Sequence, residues 1–324
     1  MASTTLRVET YPNIHPLAEH LMIGGMSPSI ITLAIKPEVK RVNDCEPHRT
    51  CFNKIMKIKS PVIYWSAFFI VSLLSLALIA NFYTEPREIV VNQAQAVEIG
   101  QRIAANEGTL GTASLVEWRE HEEYSSLGIG HFIWYPQGIK ADSISFNDFL
   151  LHISASQGLP DWLAEEVSPP WQSQEDYSSK KHDAFKQRMR NFLEENRGEQ
   201  VQYLIAALEM TFPKLLKEVK NPFSRMHVYE NFYHVAEQEG GTYALLDYAL
   251  FMGDGGASNK RYNDQGWGLL QVLENMSVSE GELMVEFVAS ADRLLIRRVA
   301  NAPGNEEKLL TSWRKRLQSY GKSD

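Results

Sequence analysis

From about position 88 onward, apolar residues return every three to four positions through most of the chain. Phe146, Phe149, Leu150 and Ile153 form one such set, Phe185, Met189, Phe192 and Leu193 a second, and Val201, Leu204, Ile205 and Leu208 a third. Each spacing places its members on one face of a helix. The same reading predicts helices over 229–237, 242–251, 266–275, 279–300 and 306–320. The stretch "EIVVNQAQAVEIGQRIAANEG" predicts a helix that runs to Glu107, with Gly108 as its stop. Two segments break the pattern. Residues 111–134 mix turn formers with short β-prone pieces, which predicts irregular chain and one small hairpin. Residues 158–179 read as a loop-rich connection. The expected fold is mainly α, of the α+β kind: one helical domain with a small β-hairpin.

A different pattern occupies 60–84. "SPVIYWSAFFIVSLLSLALIANFYT" contains no charged residue and shows no polar face. A helix needs roughly 20 apolar residues to cross a bilayer. Lys54, Lys57 and Lys59 precede the run, and Glu85, Arg87 and Glu88 follow it. Positive charge collects on the cytoplasmic side, which puts the N-terminus inside and the rest outside. Three parts are therefore expected: a cytoplasmic tail over 1–59, a transmembrane anchor over 60–84 and an exported domain over 85–324. Met56 offers a second reading. From there the chain has a basic start, an apolar stretch and Ala80 as a cleavage residue, which is the grammar of a secretory signal peptide. The first 55 residues would then lie upstream of the true start.

Charge follows the same division. The 324-residue chain carries a formal charge of -8. Residues 1–59 hold eight Lys and Arg against five Asp and Glu, so the remainder carries -11. No basic footprint argues for a nucleic-acid partner. Cys45 and Cys51, the only cysteines, precede the apolar run, so the exported part has no disulfide and depends on its core. Nothing in the sequence asks for a cofactor or a metal.

The chemistry concentrates in "NEGTLGTASLVEWREHEEYSSLGIGHFIWYP", residues 106–136. Glycoside hydrolysis uses a protonated carboxylic acid for the leaving oxygen and a second carboxylate for water or the sugar cation. Burial and the negative end of a helix dipole both raise the pKa of a Glu. Glu107, at a helix C-terminus, is placed to receive both influences. Glu117, Glu120, Glu122 and Glu123 follow on the loop.

This stretch resembles the phage-type muramidases of the lysozyme superfamily. The matching pieces are Glu107-Gly108, the acid cluster, Ser126 and Leu127-Gly128-Ile129-Gly130-His131. They cover about 25 residues, and the run from Trp118 to Pro136 is also similar to a recurring form in bacterial exported proteins. The resemblance implies a lysozyme-like fold, no cofactor and peptidoglycan as substrate, with the domain outside a bacterial inner membrane. It implies Glu107 as general acid and Ser126 as the residue that helps hold a water beneath the sugar. The loop is about four residues longer than in those enzymes and offers Glu where they use Asp. Glu122 ranks first for the second carboxylate, Glu120 second and Glu123 third. His131 reads as a hydrogen-bonding scaffold residue near the sugar. Trp118 and Trp134 read as core or as sugar-stacking walls.

A second constellation, "FMGDGGASNKRYNDQGWGLLQV", joins a Gly-rich loop to Tyr262, Gln265 and Trp267. Rings stack on sugar faces and amides bond hydroxyls. These residues are expected to form the opposite wall of the groove, or else a packed helix start. "GLLQV" also resembles a short motif of lytic transglycosylases, but no Glu stands at the matching place. The basic C-terminal run "RRVANAPGNEEKLLTSWRKRLQSY" reads as packing and surface.

Two classes of function remain. One is a glycan hydrolase that cuts β-1,4 bonds of peptidoglycan. Within it, an acidic domain also suits a cationic polymer such as chitosan, which lysozyme-type chitosanases cleave. The other is a membrane-anchored glycan-binding or scaffold module that keeps the groove without the reaction.

Overall fold

A computed structural model describes residues 66, 68–73, 75, 87–107, 112–139, 144–166, 168–257, 262–277 and 282–321. The expected tail over 1–59, with Cys45 and Cys51, lies outside the described residues. So does most of the expected anchor over 60–84. Its described positions are helical, and Phe68, Phe69, Ile70, Val71 and Leu73 are exposed. Among the described residues no helix is long and apolar enough to cross a membrane.

The rest is a helical domain with a small sheet. The first helix, α1, spans Gln93–Asn106. It starts later than the sequence pattern predicts because Asn92 caps it. The Asn92 side chain accepts from the Gln95 N–H, and the Gln95 side chain accepts in return from the Asn92 N–H, both at 2.9 Å. Residues 88–91 are thus extended chain, tied down where the Ile89 N–H donates to Glu209.

The expected hairpin is a three-stranded antiparallel sheet of two-residue strands: β1 Val116–Glu117, β2 Ser126–Leu127 and β3 Phe132–Ile133. The extra strand arises because the acid loop folds back, pairing Glu117 with Ser126. Residues 128–131 turn between β2 and β3 with left-handed backbone at Gly128 (φ 73°) and His131 (φ 47°). A Cβ on Gly128 would fall 2.1 Å from Gln200 Oε1. That oxygen accepts the Ile129 N–H at 2.8 Å, and the buried Gln200 amide donates to the Leu193 carbonyl at 2.7 Å. The glycine lets the turn lie against this amide, which fixes the direction of His131.

Helices α2 (Phe146–Ser156), α3 (Asp183–Glu195) and α4 (Arg197–Glu218) follow the predicted periodicity. The connection before α3 contains single helical turns at Asp161–Ala164 and Gln174–Tyr177. Then come α5 (Pro222–Ala236), α6 (Gly241–Met252), α7 (Leu269–Asn275), α8 (Leu283–Asn301) and α9 (Leu310–Leu317). Proline at the first position and the Asn221 cap start α5 seven residues ahead of the pattern.

One continuous core holds these elements. Helix α1 packs most extensively on α4, and Gly100 brings their backbones close, since a Cβ there would sit 3.4 Å from the Arg197 carbonyl. Aromatic rings fill the side beneath the sheet: Phe132 stacks on Phe149 at 5.4 Å, and Trp134 meets Phe146 at 5.0 Å. Each such ring removes enough apolar surface from water to contribute about 1.5–3 kcal/mol.

Candidate active site

Glu107 forms the C-terminal cap of α1, its N–H donating to the Ile103 carbonyl at 3.0 Å. Gly108 lies outside the described residues. The Glu107 side chain is 19% exposed and meets two partners, a guanidinium and an imidazole. Arg316, from α9, donates through Nη2 to Oε1 at 2.6 Å. His131 Nε2, from the β2–β3 turn, lies 3.4 Å from Oε2.

The electrostatics run against the expectation of a raised pKa. Burial is the largest single influence on Glu107 and pushes its pKa up. The His131 hydrogen bond and the Arg316 guanidinium together outweigh it and pull the carboxyl down to about 2. Helix position and apolar surroundings were visible in the sequence; the Arg316 guanidinium, from a helix about two hundred residues on, was not. In this state Glu107 is an anion.

Arg316 is itself held from behind. Asp247, on α6, is completely buried. Its Oδ2 accepts from Arg316 Nε at 2.8 Å, from Tyr320 Oη at 2.6 Å and from Asn106 Nδ2 at 3.2 Å, and its Oδ1 accepts from Arg316 Nη2 at 2.8 Å. The guanidinium also covers the Phe251 ring at 4.3 Å. Burial works against its charge, but Asp247 and Glu107 more than compensate, so the Arg316 pKa is raised. A fork of fixed donors between two carboxylates sets the Glu107 side chain in one place.

On the other side the contacts continue into the acid loop. Arg119 Nη2 lies 3.4 Å from Nδ1 and 3.3 Å from Nε2 of His131, and whichever ring nitrogen carries no proton can accept from it. The same guanidinium pairs with Glu117 at 3.1 Å and approaches Glu122 at 3.9 Å. Glu122 Oε2 accepts from Ser126 Oγ at 3.4 Å. The Glu122 backbone is pinned by two bonds, its N–H to the Arg119 carbonyl at 3.0 Å and its carbonyl to Trp118 Nε1 at 2.9 Å.

The structure therefore brings Glu107, His131, Glu122 and Ser126 into one chain of contacts, with Arg119 as the link. Glu120 is exposed and has no hydrogen bond or ion pair among the described residues. Glu123 takes its contact from the Tyr124 hydroxyl instead. Trp118 is half-buried and acts through its N–H on the loop backbone, while Trp134 is wholly inside the core.

Of the second constellation, Trp267 needs correction as a sugar-stacking wall. Trp267 is only 2% exposed. Its ring lies 4.7 Å from Tyr262, its carbonyl accepts from Tyr248, and Arg298 covers it at 5.3 Å. No face is left for a sugar. Tyr262 is half-buried and donates to Glu306 at 3.2 Å. Gln265 is exposed, closing a tight turn with Tyr262 over the left-handed Asn263 and Asp264. These residues build a turn and a helix start. For Trp267 the packed alternative is the one observed.

Arg316, Asp247 and Arg119 are the site residues that sequence reasoning missed. Arg119 carried a signal, as the only Lys or Arg in the acid loop. Arg316 carried none, because it sits among Arg314 and Lys315 in a run that reads as solvated surface. Among the described residues no group of three or more His, Cys, Asp and Glu is arranged to hold a metal ion. No family model matches the chain, and no curated protein or solved structure does so.

Proposed function

We propose that the domain is a lysozyme-like glycan hydrolase acting on β-1,4 bonds of peptidoglycan, with Glu107 as the acid and Glu122 as the second carboxylate. One observation carries this reading: Glu107, at a helix end, shares one contact chain with the Gly-Ile-Gly-His turn and with the Glu122–Ser126 pair on the facing loop. That is the set of parts a glycosidase needs, a carboxyl group whose ionisation its neighbours control and a second carboxylate beside a hydroxyl.

An acid must first gain a proton. Burial already presses Glu107 toward the neutral form, and the contacts with His131 and Arg316 oppose it. A glycan that shields the carboxyl further and displaces His131 from Oε2 would let burial win. Proton transfer to the glycosidic oxygen, with Glu122 and Ser126 holding a water on the other face, then completes hydrolysis. Arg316 would keep the carboxyl in position throughout, through its anchor on Asp247.

The test is digestion of purified peptidoglycan by the full chain in detergent, with fragments identified by mass. Reducing muropeptides from the native protein and none from Glu107→Gln support the reading. Anhydro-ended fragments would make the reaction a transglycosylation. A second reading, a non-catalytic glycan-binding module at a membrane, is favoured by the ionised resting state of Glu107. It takes over if both proteins bind the glycan and neither cleaves it or chitosan, the polymer that the acidic domain would attract.

A further inference from the structure

The chain enters the domain along one edge of α4 and α5 and is clamped there. The Arg87 N–H donates to Tyr233 Oη at 2.8 Å, and its guanidinium pairs with Glu230 at 3.5 Å. The same guanidinium lies over the Tyr229 and Tyr233 rings at 5.2 and 5.4 Å. Further along, Glu209 holds the Ile89 N–H. Arg87 stands only three residues after Thr84, where the uncharged run over 60–84 ends. Three residues of fully extended chain span at most about 11 Å. Whatever surrounds the end of that run therefore lies close to this edge of the domain.

Apolar side chains stand in the open on both sides of the clamp. On α4, Met210, Lys214 and Lys217 recur at i, i+4 and i+7. Met210 shares with Arg87, Glu88 and Pro213 the wall of an open hollow of about 480 Å³. On α5, Phe223, Met226 and Glu230 recur at i, i+3 and i+7, which puts Phe223 on the side of the helix whose Glu230 holds Arg87. Phe223 is 74% exposed and Met210 57%. Lys214 and Lys217, with Lys220 in the turn between the helices, are exposed and form no ion pair among the described residues. Most acids nearby are engaged or turned aside. Glu209 holds the Ile89 N–H, and Glu230 pairs with Arg87 and His234. Glu218 lies toward Gly256, 3.6 Å from a Cβ built there. Glu88 alone is exposed at the hollow.

We propose that this edge of α4 and α5 docks on an anionic lipid surface. Met210 and Phe223 enter the head-group region, as the apolar side chains of interfacial helices do, and the three lysines meet lipid phosphates. Lysine stems can lie along the apolar side chains while their ammonium groups stay among the phosphates. Charge sets the orientation. Residues 60–324 carry -11, so an anionic surface repels most of the domain and attracts this edge. A second copy of the same acidic domain would bring charge of the same sign, which argues for lipid as the occupant. The inference rests on the anchor expected over 60–84, and it is independent of the chemistry proposed for Glu107.

The experiment reconstitutes the full chain in vesicles of phosphatidylcholine and phosphatidylglycerol. Cys45→Ser and Cys51→Ser clear the native thiols. Single nitroxide labels then go on Met210→Cys and Phe223→Cys, and on Leu151→Cys and Val285→Cys, which are 69% and 59% exposed on α2 and α8. Relaxation by oxygen, which partitions into lipid, is compared with relaxation by a water-soluble nickel chelate. The oxygen-to-nickel ratio at 210 and 223 should exceed that at 151 and 285 several-fold. It should fall to the control level in phosphatidylcholine alone, and again when Lys214→Glu, Lys217→Glu and Lys220→Glu are combined. The proposal is overturned if 210 and 223 match the controls, or if their burial is the same without anionic lipid. It is also overturned if spin–spin broadening there, with aqueous relaxation, shows a second copy on the face. A label on Phe69→Cys reads the anchor separately. Lipid at 69 with water at 210 and 223 rejects the docking and keeps the anchor; water at all three rejects both.

Discussion

Arg316 reaches the Glu107 carboxylate at 2.6 Å across a sequence separation of 209 residues, and the same guanidinium grips the fully buried Asp247. The two bonds have different consequences. The first sets the charge of the candidate acid; the second keeps a carboxylate in the core from standing alone. Removing one partner of a buried ion pair leaves an uncompensated charge and typically costs about 3–5 kcal/mol. Arg316→Met should therefore lower unfolding stability in urea by about that amount. Adding Asp247→Asn, which removes the stranded charge but keeps an acceptor for Tyr320 and Asn106, should restore most of the loss. If the double variant is no more stable than the single one, Asp247 is not what Arg316 neutralises.

Stability should also fall in acid, with a direction set by Glu107. Its folded pKa of about 2 lies below the ordinary 4.5. A depressed carboxylate contributes stability that is complete above the unfolded value and disappears as pH falls through the folded one. The window runs from about pH 4.5 down to about 2, and the contribution is about 2–3 kcal/mol, since the side chain is mostly shielded. Asp176, also lowered to about 2 by Lys181, the Gln172 N–H and His182, acts in the same direction. Glu107→Gln should thus flatten the acid limb of a melting-temperature profile without abolishing it. An unchanged limb would mean that the ion pair does not form in solution.

His131 is the more adjustable of the two contacts that Glu107 makes. Its hydrogen bond is the largest influence that lowers the Glu107 pKa. Asparagine tolerates the left-handed backbone at this position, so His131→Asn preserves the turn while breaking the contact. The Glu107 pKa should rise from about 2 toward the ordinary range, as read by carboxyl NMR titration. In an active enzyme the acid limb of the pH–rate profile should shift upward with it.

Much of the fold was legible because it rests on local pattern. Phe146 through Ile153 and Phe185 through Leu193 lie on the buried faces that their spacing predicts, and α2 and α3 follow. Boundaries failed where a side chain decided them, as when the Asn92 capping box cut five residues from the start of α1. In the site, Glu107, Glu122, Ser126 and His131 were named because they cluster in one segment and carry chemistry by type. The environment of Glu107 was not legible, since Arg316 and Asp247 arrive from helices more than a hundred residues away. Trp267 failed for a related reason. A Trp beside glycines looks the same in sequence whether it faces a sugar or Tyr262 and Arg298, and only packing separates the two.

Gly128 tests whether the turn that carries His131 is built around Gln200. Two independent penalties meet there. A side chain at φ 73° is strained by about 1–2 kcal/mol. A Cβ would also fall 2.1 Å from Gln200 Oε1, an oxygen that accepts the Ile129 N–H and belongs to a wholly buried amide. If the amide moves away, its bonds to Ile129 and to the Leu193 carbonyl are lost inside the core, at about 1–3 kcal/mol for each group left unsatisfied. Gly128→Ala should therefore destabilise the domain by at least about 2 kcal/mol in urea unfolding. It should also loosen His131 from Glu107, so that the Glu107 titration moves upward as it does in His131→Asn. Gly138, which also has positive φ but nothing within 4 Å of a built Cβ, supplies the control: Gly138→Ala should show the backbone strain alone. Equal losses at the two positions would mean that the Gln200 contact contributes nothing, and that the turn holds its shape through backbone preference only.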